Sequence, residues 1–322
     1  MVRYSADRRG RRRLKPAVGA LPHREVRLRG LGDDAVPTGG TPGGAPQPAP
    51  AAAFRGALAH HWAVVLATAR SSVQRSNAYL IDRIRWPLGA FVMYAVWRIT
   101  YAVSGRGEVG GANTSGFLLI GMLGVVTWTA TVWSGGSAIE FERYEGTVGA
   151  LFLSPASRVA VLAGYGIGGF AWLLPSYLLV AVLGAATGAR LAVADPLALA
   201  AAVLALIAAS LGMGFAMASL FVLSRRANLL SNFVQLPVNL LAGFLVPRES
   251  LPGWLRPLSD AIPASQAMDA LRASALQGAT LRDVGGPVAL ALAVATVYAL
   301  IGALSLRRVE YAAKRSGQLD LY

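Results

Sequence analysis

The chain has 322 residues, 55% hydrophobic and only 14% charged, with a mean hydropathy of +0.50. A soluble domain carries about 25% charged residues, so a water-soluble globule is excluded as the main body. The absence of cysteine removes disulfides, thiolate metal sites and cysteine nucleophiles together.

The net charge of +14 is distributed as a topology signal and not as a nucleic-acid patch. Residues 1–53 are rich in Arg, then in Pro, Gly and Ala, and hold too little apolar surface to offset the entropy of ordering. They read as a disordered tail, or as a basic arm on anionic headgroups. No apolar run follows the basic stretch, so it is not a secretory signal.

From 54 to 85 the pattern changes. Phe54, Leu58, Trp62, Val65, Ala69 and Val73 recur at spacings of three and four, which is one face of a helix. Its abutment to a hydrophobic span at Arg83, Arg85, Trp86 and Pro87 predicts an amphipathic helix lying in the headgroup layer.

Apolar stretches then begin near Trp86, Phe117, Val159, Pro196, Leu229 and Val288. A bilayer core of about 30 Å needs about 20 helical residues, and backbone groups in lipid must be satisfied within their own segment. The expected fold is all-α and integral to the membrane. Residues 86–308 form six transmembrane helices, with short re-entrant helices between spans five and six and a tail at 309–322. Half of the basic residues precede Trp86; Arg225 and Arg226 lie in one short loop, and Arg307, Arg308, Lys314 and Arg315 follow the last span. The positive-inside rule therefore predicts cytoplasmic termini. The arginine bias, with Lys15 and Lys314 the two lysines, looks like a bacterial coding sequence.

Within the spans, Gly164 with Gly168 and Gly212 with Ala216 have small-xxx-small spacing for close helix contacts. Gly164 to Gly169 also fits GxGxxG, but the run has no preceding strand and is not a dinucleotide site. Pro175 and Pro237 predict kinks. Arg98 lies about 18 Å along the first span from Trp86 by helical rise. It either snorkels toward the outer boundary or lines a cavity. Other cavity candidates are Thr127, Trp128, Thr129, Thr131, Trp133 and Trp172.

His23, His60 and His61 precede the first span, and no acid, histidine or cysteine falls inside a span. That excludes intramembrane metal, Ser-His and carboxylate-dyad catalysis, and it counts against proton-coupled transport. There is no GxxxxGK[ST] loop to bind ATP. The chain is expected not to be an enzyme and to hold no cofactor or metal.

The cytoplasmic segment Ser137–Arg158 carries Glu140, Glu142 and Glu145 close together, followed by Leu151, Phe152, Leu153 and Ser154-Pro155. A helix here would project carboxylates into the cytosol as a docking element. Glu142, Glu145-Gly146-Thr147 and Ser154-Pro155, with Gly243 to Pro247, Leu251 to Leu255, Ile262-Pro263 and Arg272, resemble the ABC-2 family of ATP-binding-cassette permeases. The resemblance spans roughly Phe54 to Arg308.

It implies the membrane subunit of an exporter in the bacterial plasma membrane, paired with a second permease copy, identical or different, and with two ATPase subunits that bind ATP and Mg. By that likeness, helix 54–85 with Phe54, Leu58, Trp62 and Val65 connects to the ATPase, and Glu140, Glu142, Glu145, Gly146, Thr147, Ser154 and Pro155 form the coupling loop. Pro247, Pro252, Trp254 and Pro263 mark an extracellular re-entrant segment. The apolar walls point to an amphipathic or lipophilic cargo, drug-like or lipid. A polysaccharide or lipid-linked glycan is the alternative within the family, and an ATP-independent transporter or channel the alternative outside it. No nucleic-acid partner is expected.

Overall fold

The computed structural model describes residues 50–77, 80–136, 142, 145–147, 157–223 and 227–316. The tail at 1–49, Glu140, Ser154 and Pro155 lie outside the described residues. Helix α1 runs Pro50–Asn77 and α2 runs Leu80–Val103. A two-residue hairpin follows, with Glu108 paired to Asn113. Its turn is Gly110-Gly111, both at positive φ (59° and 74°), as a type I′ turn requires. Asn113 then caps α3 (Thr114–Ala130), its side chain accepting from the Gly116 amide at 3.1 Å. Helix α3 continues into a π-helical turn, Thr131–Gly136.

Next come α4 (Arg158–Trp172) and α5 (Leu174–Ala186), bent by 43° at Leu173. Pro175, in the first turn of α5, lacks the amide that would continue the helix, which places the expected kink. Helix α6 spans Pro196–Leu223 and α7 spans Ala227–Leu241, running through Pro237. A 3₁₀ turn (Arg248–Ser250) leads to α8 (Arg256–Asp260) and α9 (Pro263–Leu276). Helix α10 (Leu281–Ser316) closes the domain.

Helix α3 is the centre. It is apolar all round and almost wholly buried, as such a helix must be, with α2, α5, α6 and α9 packed about it. Helix α10 lies outermost against α6 and leaves Leu290, Val297, Leu300, Ile301 and Leu304 exposed. Its contact with α6 depends on absent side chains. A Cβ at Gly212 would sit 2.5 Å from the Ala295 carbonyl, and one at Gly302 would sit 2.8 Å from the Ala216 amide. The expected Gly212/Ala216 contact is therefore present, with α10 as its partner.

Among the described residues, three helical stretches are long and apolar enough to cross a membrane: Thr114–Ser134, Pro196–Leu220 and Leu281–Arg308. The bent α4–α5 pair makes a fourth if it counts as one span. The stretches expected as spans one and five do not qualify. Arg98 and the tryptophans dilute α2, and the 15 residues of α7 reach only about 22 Å.

The loops nevertheless sort to two ends. At one, Asn113 bonds the Gly188 carbonyl at 2.7 Å, the Ala192 amide bonds Ala275 and the Leu281 amide bonds Asp195. At the other, the end of α1 meets Glu142 and Glu145, and Glu142 meets Tyr165 midway along α4.

Candidate functional site

The second end carries the charged chemistry. Helix α1 packs along α4 because α4 offers glycine where α1 arrives. A Cβ at Gly164 would lie 2.6 Å from Thr68, and one at Gly168 would lie 2.8 Å from both the Ala69 carbonyl and Ser72. The buried stripe of α1 is therefore Val65, Ala69 and Ser72. Of the predicted face, Val65 and Ala69 are buried against α4, Val73 is half-buried and Trp62 is 55% exposed. Phe54 and Leu58 fall on the first turns of α1, and their side chains lie outside the described part.

One more turn along that stripe stands Arg75. Its guanidinium lies 3.4 Å from the Glu142 carboxylate and 3.2 Å from that of Glu145, with the Tyr165 ring 5.8 Å away. Glu142 also receives hydrogen bonds from the hydroxyls of Tyr165 and Thr147. The Thr147 amide closes the turn onto the Glu142 carbonyl at 2.9 Å, and Gly146 allows it at φ 70°.

Burial opposes ionisation of Glu142, yet the hydroxyl donors of Thr147 and Tyr165 and the Arg75 charge together outweigh it and hold the carboxyl below its usual range. Glu142 is thus turned inward, with its side chain only 11% exposed. It does not project into the cytosol as the sequence suggested; Glu145, Gly146 and Thr147 remain at the surface. The carboxylate joins α1, the loop after α3 and α4 in a single knot.

Beside this knot opens a cavity of about 730 Å³, within the range of small-molecule sites. Trp86 stands at its centre, edge-on to Trp133 and Trp172 with ring centroids 5.9 Å apart in both pairs. The indole nitrogens of Trp133 and Trp172 are buried with no hydrogen-bond partner among the described residues. Arg75, Glu145 and Tyr165 belong to the cavity wall as well as to the knot.

Of the other cavity candidates, Trp128 is fully buried in the core and Thr131 is 1% exposed, its hydroxyl bonded back to the Thr127 and Trp128 carbonyls. Thr127 and Thr129 are also buried and bond Tyr177 and Gln235. Arg98 borders none of the described cavities and keeps a buried, unpartnered Nε. Trp172 and Trp133 alone among these candidates reach the large cavity.

Sequence reading gave Arg75, Tyr165 and Asp82 no site role and placed Arg85 only at the membrane boundary. A signal for Arg75 existed, since it continues the Val65, Ala69, Ser72 spacing. Tyr165, inside an apolar run, had none.

At the opposite end, Arg248 bonds Ser259 at 2.8 Å and pairs with Asp260 and Asp269. Arg272 stacks 3.9 Å above the Phe117 ring and donates to the Phe244 carbonyl at 2.9 Å. Pro263 is buried at the head of α9, while Trp254 is 73% exposed, with Pro252 exposed and Pro247 half-buried. These bonds cross-link segment 247–272 to the core.

Residues 62–276 match the model of the family described as ABC-2 type transporter. No curated protein matches the chain.

Proposed function

We propose that this chain, which belongs to the ABC-2 type transporter family, is the permease subunit of an ATP-driven exporter whose hydrolysis is carried out by separate cytosolic subunits. The observation that carries this is the inward carboxylate of Glu142. It ties the loop after α3 to both α1 and α4, so a push on that loop moves two helices at once.

In this reading six crossings alternate between the two clusters of loops, with α2 and α7 as the short ones and α8–α9 re-entering from the outer face. The termini lie in the cytoplasm of a bacterial cell. Two ATPases grip the exposed Glu145–Thr147 turn and α1 of a permease pair. The chain itself performs no hydrolysis. Rigid-body rocking between two states, biased by differential ATP affinity, carries an amphipathic cargo outward.

The test is purification of the full chain from its native membrane. An ABC ATPase should accompany it, and vesicles holding the permease alone should move no solute uphill. Concentrative transport by the isolated chain would overturn the proposal.

A further inference from the structure

The tryptophan cavity is specific in its charge. Trp86, Trp133 and Trp172 present indole rings, whose faces attract cations electrostatically. A cation already occupies that place. The Arg85 guanidinium lies 5.5 Å from the Trp86 ring centroid and is held at 2.9 Å by Asp82. Its side chain is 66% exposed, so its ion pair is of the kind that contributes little and is readily exchanged.

The remaining charges lean the same way. The lining holds Arg75 and Arg85 against Asp82 and Glu145, and Arg75 also faces Glu142 behind the wall, so among the described residues two guanidinium groups stand against three carboxylates. An anion entering here meets aromatic faces of the wrong sign and a negative surround. A lipophilic cation finds ring faces, the Asp82 carboxylate once Arg85 swings out, and the Glu145 carboxylate, which is 45% exposed.

We propose that this cavity is a binding site for lipophilic organic cations, with Arg85 as an internal occupant that the ligand displaces. The assignment rests on the permease reading and narrows its cargo class.

The experiment compares tetraphenylphosphonium with tetraphenylborate, two ions of matching shape and opposite charge. Each binds to the full chain in lipid nanodiscs, read by tryptophan fluorescence with empty nanodiscs subtracted. The cation should bind saturably and at least about tenfold more tightly than the anion, the scale of one desolvated cation–π contact.

Arg85→Gln, at a position whose side chain is 66% exposed, should tighten the cation and weaken the anion. Asp82→Asn and Trp86→Leu should weaken the cation. Equal or tighter anion binding, or cation affinity untouched by Arg85→Gln, overturns the assignment. No ATPase enters the measurement. A chain that fails here yet drives ATP-dependent export loses only this cargo class. One that binds the cation but recruits no ATPase keeps the site and loses the permease reading.

Discussion

Replacing Tyr165 by Phe removes one oxygen from a buried polar contact at the Glu142 knot. That hydroxyl donates to a carboxylate whose side chain is 11% exposed, and hydrogen bonds to charged groups contribute about 1.5–3 kcal/mol net. The Arg75 pairing does not compensate. At 3.4 Å and with the guanidinium 29% exposed, it is screened and worth at most about 1 kcal/mol. Tyr165→Phe should therefore cost about 2 kcal/mol, read as a fall of several degrees in the thermal midpoint of the detergent-solubilised protein.

A cycle with Glu142→Gln tests the attribution, because residues in one network couple by about 0.5–3 kcal/mol. The double variant should be destabilised by less than the two single losses combined.

The pH dependence has a fixed sign. Glu142 titrates below its ordinary value in the folded protein, so its contribution is present above the ordinary carboxyl range and is lost as pH falls toward the depressed value. Wild type should lose stability over that interval, and Glu142→Gln should lose less. Additive single losses, or a Tyr165→Phe protein as stable as wild type over the whole range, would refute the knot.

Other consequences are independent of it. Gly168→Ala sets a methyl 2.8 Å from the Ala69 carbonyl; overpacking of this kind costs about 1–3 kcal/mol, and hydrogen exchange of α1 should accelerate while α10 is unchanged. Arg98→Leu should insert normally and leave transport intact, because Arg98 borders none of the described cavities; altered cargo selectivity would show otherwise. Arg248→Ala removes the ion pairs of Asp260 and Asp269 together. It should loosen segment 247–272 to proteolysis without affecting the tryptophan cavity.

How much of this was legible beforehand follows from the range of the interactions. Helices set by composition were readable because each satisfies its own backbone. The contact faces of Gly164 with Gly168 and Gly212 with Ala216 were readable because their signal is local spacing. Neither partner was readable: nothing in the α4 glycines says that α1, more than eighty residues earlier, will lie on them.

On α1, Val65 and Ala69 were legible from their spacing, and Ser72 was not. Close approach to glycine selects small side chains, so Ala69 and Ser72 face inward and Trp62 is left outside. Glu142 stood out as one of three clustered acids but was expected to point outward, whereas its side chain is buried. An acid in a short loop is normally solvated, and only Arg75, Thr147 and Tyr165 arriving from three segments make its burial tolerable. Trp128 and Trp133 are five residues apart, about 140° around an α-helix, which leaves one in the core and the other at the cavity; the chain turns π-helical between them, at Thr131.

That turn makes the loop and the cavity one mechanical unit. Trp133 and Ser134 lie within it, Gly169 lets α4 close on Ser134, and Glu142 follows eight residues later in the sequence. Since Arg75, Glu145 and Tyr165 serve both the knot and the cavity wall, ligand occupancy and loop position must be linked, and linkage is reciprocal. Thr147→Val isolates the effect. It deletes a donor to Glu142, changes no charge and alters no residue of the cavity wall. If the two are linked, the variant should shift the affinity for tetraphenylphosphonium by about threefold or more, the lower part of the usual coupling range. Saturating cation should also protect the variant and wild type from heat to different degrees. An affinity identical to wild type, in a variant whose thermal midpoint has fallen, would mean that the knot only holds the fold, and that whatever moves the cargo acts through another path.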